Sequence, residues 1–523
     1  MNGAESLVHT LLDSGVNVCF TNPGTSEMHF VSALDRIAGM RCVLGLFEGV
    51  VTGAADGYWR IADKPASTLL HLGPGLGNGL ANLHNAKKAR SGVVNVVGEH
   101  ATYHVPLNAP LTSDIEGVAR PMSHWVRTSV SADHIARDGK AAIAAARTAP
   151  GQIATLVLPA DTAWSELSAG TDPTASGVSA LPPAAPKVDA DRVKAAAATL
   201  SGPDTLLLLG GKALRDGALV SAGRIAARTG CALMSEFAVA RVQRGAGRVA
   251  VARMPYVVEV AQAALARFRK VVLVGTTPPV AFFAYPGKPS MLAPPGCEFV
   301  TLAEADQDLG DALAALADRL DASAIAPAGI AQLQRPGAGA MPGGKNTSEG
   351  IAAVLAALLP EEAIVVDESV TIGRAFGAAT AGAAPHDWLT GCGGAIGYAL
   401  PVAVGAAVAA PDRRVVVLEG DGSGMYTPQA LWTMAREGLN VTVVVFANRS
   451  YQILRGELIA VGAGEPGPRA NQMLTLDNPT LDWTALARGM GVPATRADDL
   501  AAFADQFARS LATPGPSLIE LTL

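Results

Sequence analysis

Two apolar runs that end in metal-binding chemistry constrain this chain more than any other feature. RRVVVLEGDGS places Asp421 at the end of one β-rich run, and NVTVVVFANRS places Asn448 at the end of the next. Between them GMYTPQALWTMAREG has helical periodicity. Strand, helix, strand reads as one crossover unit, so both tips emerge on the same edge of a parallel sheet. The Asp421 carboxylate, the Asn448 amide oxygen and a loop carbonyl then converge. That set suits a hard cation such as Mg2+, which takes oxygen ligands and bridges to phosphates. Gly420, Gly422 and Gly424 would let the backbone approach a diphosphate. A helix starting after Ser423 would add peptide donors and a favourable dipole. The bland alternative is a Gly turn in an ordinary α/β domain, and the strand–helix–strand context argues against it.

A chain of 523 residues is too long for one core, and three domains are expected. With 49% apolar and 16% charged residues the composition is that of a compact α/β protein. A net charge of −6 argues against a nucleic-acid surface or a polybasic membrane anchor. The richest apolar run, IAAVLAALLPEEAIVV, is broken by Pro360, Glu361 and Glu362, so no membrane span is expected. MNGAESLVHTLLDSG reads as an amphipathic helix, not a signal peptide. Cys19, Cys42, Cys231, Cys297 and Cys392 are scattered without a CxxC pair, which predicts buried free thiols in a reducing cytoplasm.

Residues 165–188 and 323–347 are rich in Pro, Gly, Ala and Ser and divide the chain into three blocks. Each alternates short β-rich runs with helical patterns. The fold expected is α/β, with three doubly wound parallel-sheet domains at residues 1–165, 188–322 and 346–523.

The GDG segment ending at Ala447-Asn448 resembles the diphosphate-binding signature of thiamine-diphosphate enzymes, with Ala in place of the first of its two Asn residues. The resemblance covers the whole chain and is strongest over residues 18–130 and 363–456. It is to the group holding benzoylformate decarboxylase and acetolactate synthase. It implies a pyrimidine-binding, a middle and a diphosphate-binding domain, in that order. It implies Asp421, Asn448 and the Ser450 carbonyl as Mg2+ ligands, with Gly420, Gly422, Ser423, Tyr451 and Thr371 around the diphosphate. For Thr371, in DESVTIG, a simple helix cap is the competing reading. LTGCGGAIGYALPVAVGA matches the segment that grips the pyrimidine: Gly391 and Gly393 contact the ring, and Ile396 is the apolar wedge beneath the thiazolium that enforces a bent cofactor. Glu48, in LFEGVVTGAADGYWR, matches the Glu that bonds the pyrimidine N1′ and promotes its imino tautomer. Apolar neighbours Phe47, Val50 and Val51 predict its burial. In the family this Glu reaches cofactor held by another chain, which implies a homodimer at minimum and a homotetramer by analogy.

The substrate side follows from two further segments. Thr25, in TNPGTSE, matches a Ser of benzoylformate decarboxylase, and His71, in LLHLGPGLGN, matches a proton-relaying His. Ile453 and Leu454 line the pocket or pack in the core. A second relay His is absent from VAFFAYPG, where Phe282 and Phe283 stand, and His104 is a candidate substitute. Phe47 replaces the His that commonly precedes Glu48 in acetolactate synthases. Flavin (FAD) is possible, although the middle block carries no readable flavin feature. The expected function is a thiamine-diphosphate- and Mg2+-dependent non-oxidative decarboxylase or carboligase acting on a small-molecule 2-oxo acid, acetolactate synthase-like. The alternative is benzoylformate decarboxylase-like release of an aldehyde from a larger or aromatic acid.

Other classes are weaker. A nicotinamide oxidoreductase needs GxGxxG, but Asn78 spoils GPGLGNG and Ile396 spoils GCGGAIG. GAMPGGKNT, from Gly339 through Gly344 and Lys345, approaches a P-loop, but Asn346 replaces its Ser or Thr. A catalytically dead scaffold sits poorly with Glu48, Asp421 and Asn448 all present.

Overall fold

The computed structural model describes residues 1–171, 177–334 and 341–523. Gly339 of the P-loop-like stretch lies outside them, as do parts of both linker-like segments. Runs of Val, Ile and Leu too apolar to face water on either side build three sheets covered by helices. The first has six parallel strands, ordered Arg41–Leu44, Val18–Asn22, Ala66–Leu70, Val93–Glu99, Ile153–Pro159, Trp125–Thr128. The second has five, ordered Ala252–Arg253, Ala232–Ser235, Thr205–Leu209, Lys270–Val274, Glu298–Ala303, also parallel. The third runs Ala494–Ala497, Ser517–Thr522, Val441–Ala447, Val415–Gly420, Ile364–Glu368, His386–Thr390 and ends on Val242–Arg244. That last strand pairs antiparallel and comes from the middle of the chain, so one edge departs from the all-parallel expectation.

The helices Glu48–Ala62 and Ala399–Ala409 bind the first and third sheets together. A Cβ on Gly57 would overlap the Val402 carbonyl, and one on Gly405 the Ala54 carbonyl, so the two backbones touch. ALPVAVGAAVA is apolar all round because nearly all of its residues are buried. Below this contact lies a buried ionic joint. Arg60 pairs with Asp56 at 2.6 Å and donates to the Thr390 carbonyl at 2.8 Å. Arg241 pairs with Asp387 at 2.6 Å and donates to the Arg60 carbonyl at 2.9 Å.

Three expectations need correction. The run after Ser423 is not a helix: Gly424–Tyr426 is a 3-10 turn and the α-helix is Ala430–Arg436. Pro428 forbids an earlier start, since proline is tolerated only at a helix entrance. GPGLGNG is no loop but lies inside the helix Leu72–Lys88. All five cysteines are free, but Cys42 is exposed and Cys297 partly so. The expected N-terminal helix is present as Gly3–Asp13, with a capping box between Asn2 and Glu5. Among the described residues no helix is long and apolar enough to cross a membrane.

Candidate active site

The strands Val415–Gly420 and Val441–Ala447 are parallel neighbours, so Asp421 and Asn448 leave the sheet side by side. Asp421 is buried, and its Oδ2 accepts the Arg449 N–H at 2.6 Å. Arg449 has φ +56°, a left-handed turn that folds the Asn448–Ser450 tip back over the carboxylate. Asn448 Oδ1 accepts the Ser450 N–H at 2.9 Å. Burial pushes the Asp421 carboxyl up to about 6, with peptide N–H groups opposing it. A divalent cation bound here would favour the ionised carboxylate against that burial. The donors are oxygens, which fits Mg2+. No cluster of three His, Cys, Asp or Glu side chains that could hold a metal exists among the described residues. A cation here must therefore rely on amide, carbonyl and ligand oxygens.

Two buried carboxylates lie beneath this edge, and the sequence reading had not used them. Glu368 and Glu419 are partners in register on adjacent strands. Glu368 accepts the N–H groups of Gly397, Tyr398 and Ala399 at 2.7, 2.9 and 2.9 Å, fixing the backbone that follows Ile396. Glu419 Oε1 accepts the Ser423 hydroxyl at 2.5 Å and the Gly420 N–H at 3.0 Å, while Oε2 has no partner. Burial pushes Glu368 up to about 8 against three opposing peptide N–H groups, and burial with the Glu368 charge holds Glu419 well above the usual carboxylate range. Three peptide donors aim at Glu368 and none at Glu419 Oε2, so a shared proton sits on Glu419.

The glycines of both motifs are filled from the protein side. A Cβ on Gly422 would stand 2.6 Å from the Tyr451 ring, and one on Gly391 2.6 Å from Tyr398. At Gly393 it would meet Asn85 Oδ1 at 2.6 Å. Asn85 donates to the Ala395 carbonyl at 2.8 Å, and His84 Nε2 lies 3.0 Å from that of Gly393. Helix Leu72–Lys88 thus holds the segment in which Ile396 remains exposed. Thr371 precedes a 3-10 turn but makes no side-chain cap, so the simple-cap reading fails.

At the carboxyl edge of the first sheet, Glu48 opens its helix. It is half-buried rather than enclosed, and Asn78 donates to its Oε2 at 3.0 Å. His71 Nδ1 lies 2.8 Å from Oε2 of the buried Glu27 and 3.4 Å from Ser26 Oγ. Glu27 also accepts the Gly24 N–H and the Ser26 hydroxyl, both at 2.7 Å. A carboxylate surrounded by donors makes Nδ1 a donor too, leaving Nε2 outward. A Cβ on Gly24 would overlap the His71 ring, and one on Gly98 the Glu27 carboxyl. The 3-10 turn Thr25–Glu27 brings Ser26 and Glu27 to His71 and leaves Thr25 exposed. His104 has His100 as its ring neighbour, at 5.3 Å, and among the described residues makes no hydrogen bond or ring contact with His71.

Phe237, Tyr256, Phe282 and Phe283 form a chain of ring contacts, the closest pair 4.9 Å apart. Phe282 is packed against Gly394, where a Cβ would be 2.7 Å from its ring tip. Glu457 accepts from Tyr256 at 3.2 Å and Tyr285 at 2.9 Å, tying this cluster to the helix Gln452–Ala460 that bears Ile453 and Leu454. That helix buries no residue fully, so neither is core. Among the described residues no hydrogen bond or ion pair joins Glu48 or His71 to residues 391–454.

Parallel-sheet domains with an Asp–Asn strand-tip pair and a helix-opening Glu define a thiamine-diphosphate-binding protein. Residues 1–119 match the family model described as "Thiamine pyrophosphate enzyme, N-terminal TPP binding domain". Residues 371–521 match "Thiamine pyrophosphate enzyme, C-terminal TPP binding domain". A Mycobacterium tuberculosis protein named "Putative acetolactate synthase large subunit IlvX" is 53% identical, covering 100% of this chain and 99% of its own. Benzoylformate decarboxylase of Pseudomonas aeruginosa is 30% identical over 97% of this chain and 96% of its own. A Rhodococcus jostii thiamine diphosphate-dependent 4-hydroxybenzoylformate decarboxylase superposes with a TM-score of 0.84 at 25% identity, over 99% of this chain and 98% of the other. The chain belongs to the thiamine-diphosphate-dependent enzymes, in the group of acetolactate synthase and benzoylformate decarboxylase.

Proposed function

We propose that this protein is a Mg2+-dependent decarboxylase that converts a 2-oxo acid with a large apolar or aromatic acyl group to the aldehyde and CO2. The observation that carries this reading is the Glu27–His71 contact at 2.8 Å. Release of an aldehyde needs a proton delivered to the former keto carbon, whereas joining a second carbonyl does not. A ring fixed through Nδ1, with Nε2 outward, is suited to that delivery. Thiamine diphosphate, when bound, supplies the nucleophilic carbon and the electron sink for loss of CO2.

Asp421, Asn448 and the Ser450 carbonyl hold Mg2+ in this reading. Gly420, Gly422, Ser423, Thr371 and Tyr451 surround the diphosphate, and Gly391, Gly393 and Ile396 place the pyrimidine. Glu48 holds a proton toward the pyrimidine nitrogen. Two copies complete each site in this reading, Glu48 of one serving cofactor held by Asp421 of the other, as the family resemblance implies. Phe282, with Ile453 and Leu454, supports a bulky acyl group. Its rings offer apolar contact. Thr25 lies at the mouth, exposed.

The acetolactate reading is favoured by the 53% identical relative. Product analysis by NMR separates the two. Purified protein with thiamine diphosphate and Mg2+ is given phenylglyoxylate or pyruvate. Benzaldehyde from the first, with little turnover of the second, is expected. Acetolactate as the main product from pyruvate would overturn the proposal.

A further inference from the structure

The middle sheet has a topological switch point. Its two central strands, Thr205–Leu209 and Lys270–Val274, are parallel neighbours. From the first the chain moves outward to Ala232–Ser235, and from the second to Glu298–Ala303 on the other side. Such a crevice, at the carboxyl ends of the strands, is where open α/β sheets take dinucleotides, with glycine-loop N–H groups cradling the diphosphate. The two exits here, Gly210-Gly211 and Gly275-Thr276, have that glycine content. A flavin of the kind acetolactate synthases can carry would need this crevice open.

It is filled from within. Glu236 follows the strand Ala232–Ser235 and lays its carboxyl across both exits. Gly211 N–H donates to Oε1 at 3.2 Å, and the Thr276 hydroxyl donates to Oε2 at 2.9 Å. A Cβ on Gly210 would stand 2.6 Å from Glu236 Oε1 and 2.8 Å from the Gly275 carbonyl, so the exits are packed together. Burial raises the Glu236 carboxyl, and the Arg90 charge opposes that rise. Arg90 comes from the first domain, just beyond the helix Leu72–Lys88. Its Nη1 donates to the Gly275 carbonyl at 2.6 Å. Donors that would cradle a diphosphate are already taken by a carboxylate, which would also repel it.

We propose that this crevice is a self-occupied nucleotide cleft: Glu236 stands where a diphosphate would lie, Arg90 closes over it, and the crevice serves as an interdomain joint instead of a flavin site. The joint anchors the far end of the helix that begins after His71 and carries Asn78 beside Glu48. Arg90 and Glu236 are positioning residues and touch no substrate. The inference does not rest on the acyl donor proposed above, and its test uses no turnover.

The full-length protein is produced in cells supplied with riboflavin, purified, and denatured to release any bound flavin for fluorescence. It is also titrated with FAD while flavin fluorescence is followed. No released flavin and no saturable binding are expected, and near-stoichiometric flavin would overturn the cleft assignment. Hydrogen exchange of Arg90→Met and of wild type tests the joint. Exchange at least about tenfold faster at residues 85–91, with the central strands of the first sheet unchanged, is expected. Equal exchange at residues 85–91 would overturn the anchoring role. Glu236→Gln, which keeps the shape, should restore none of the FAD binding unless charge alone excludes the nucleotide; saturable binding by that variant would overturn the packed-cleft reading.

Discussion

At the edge of the first sheet Glu27 and Glu48 each meet a nitrogen-bearing side chain, whereas the carboxylates at the edge of the third are met mainly by peptide N–H groups. Glu27 faces His71 and Ser26, and Glu48 faces Asn78. Glu368 is met by three consecutive N–H groups, Asp421 by that of Arg449, and Glu419 by that of Gly420 and one hydroxyl. A side-chain partner such as an imidazole can exchange a proton. A peptide N–H cannot, so it fixes a charge or a loop. The first edge is therefore equipped to move protons and the third to hold a cation and shape a backbone.

The largest effect expected from breaking this division is at Glu48. Glu48→Gln keeps the Asn78 contact in shape but removes the proton-bearing group. Turnover should fall by at least about 100-fold, while cofactor affinity, measured by fluorescence titration, stays within about threefold. Wild-type turnover would remove Glu48 from the chemistry. Asp421→Ala should do the reverse, weakening Mg2+–thiamine diphosphate binding by about 100-fold or more, since even residues behind metal ligands are worth 10–100-fold. Unchanged affinity in the same titration would count against the metal site.

A smaller effect is expected at the relay. His71→Ala should slow the protonation step by about 10–100-fold. Glu27→Gln should slow the same step, because an amide can present an N–H to Nδ1 and favour the other tautomer. An unchanged single-turnover rate would make Glu27 a packing residue.

The same contrast explains what could be read from sequence. Asp421 and Asn448 were legible because one crossover unit holds both, so local spacing fixes them in space. Glu27 sits in TNPGTSE, yet its partner His71 lies 44 residues away. Only the adjacency of strands Val18–Asn22 and Ala66–Leu70 brings them together, and sheet order is not written in either segment. Thr25 and Ser26 part for a local reason: the 3-10 turn leaves Thr25 exposed and sets Ser26 beside His71. Glu27 accepting the Gly24 N–H was the available signal, since a Glu three residues after a turn start reads as a cap. Glu368 and Glu419 were illegible because each ends an apolar strand, where an acid looks like the first solvated residue. Register and burial alone reveal them as a pair.

That pair gives the smallest effect and the finest test of the contrast. Both carboxyls are raised from the usual 4.5, Glu368 to about 8, by burial first. A raised acid favours the fold in its neutral form. Its contribution is complete below about pH 4.5 and is lost as pH rises through about 8. The third sheet should therefore be less stable on the alkaline side, in a window set by these two groups. Glu419→Gln retains a neutral side chain of the same shape, and its amide leaves the Ser423 and Gly420 donors an oxygen. It cannot ionise against Glu368. Thermal midpoints of the cofactor-free protein at pH 6 and pH 9 should then differ less for the variant than for wild type, with the curves converging as pH falls toward 4.5. Parallel curves would mean that Glu419 is ionised in the native protein and that the proton resides elsewhere. The third edge would then hold a second charge beside its metal ligands, and its role could not be that of a fixed scaffold.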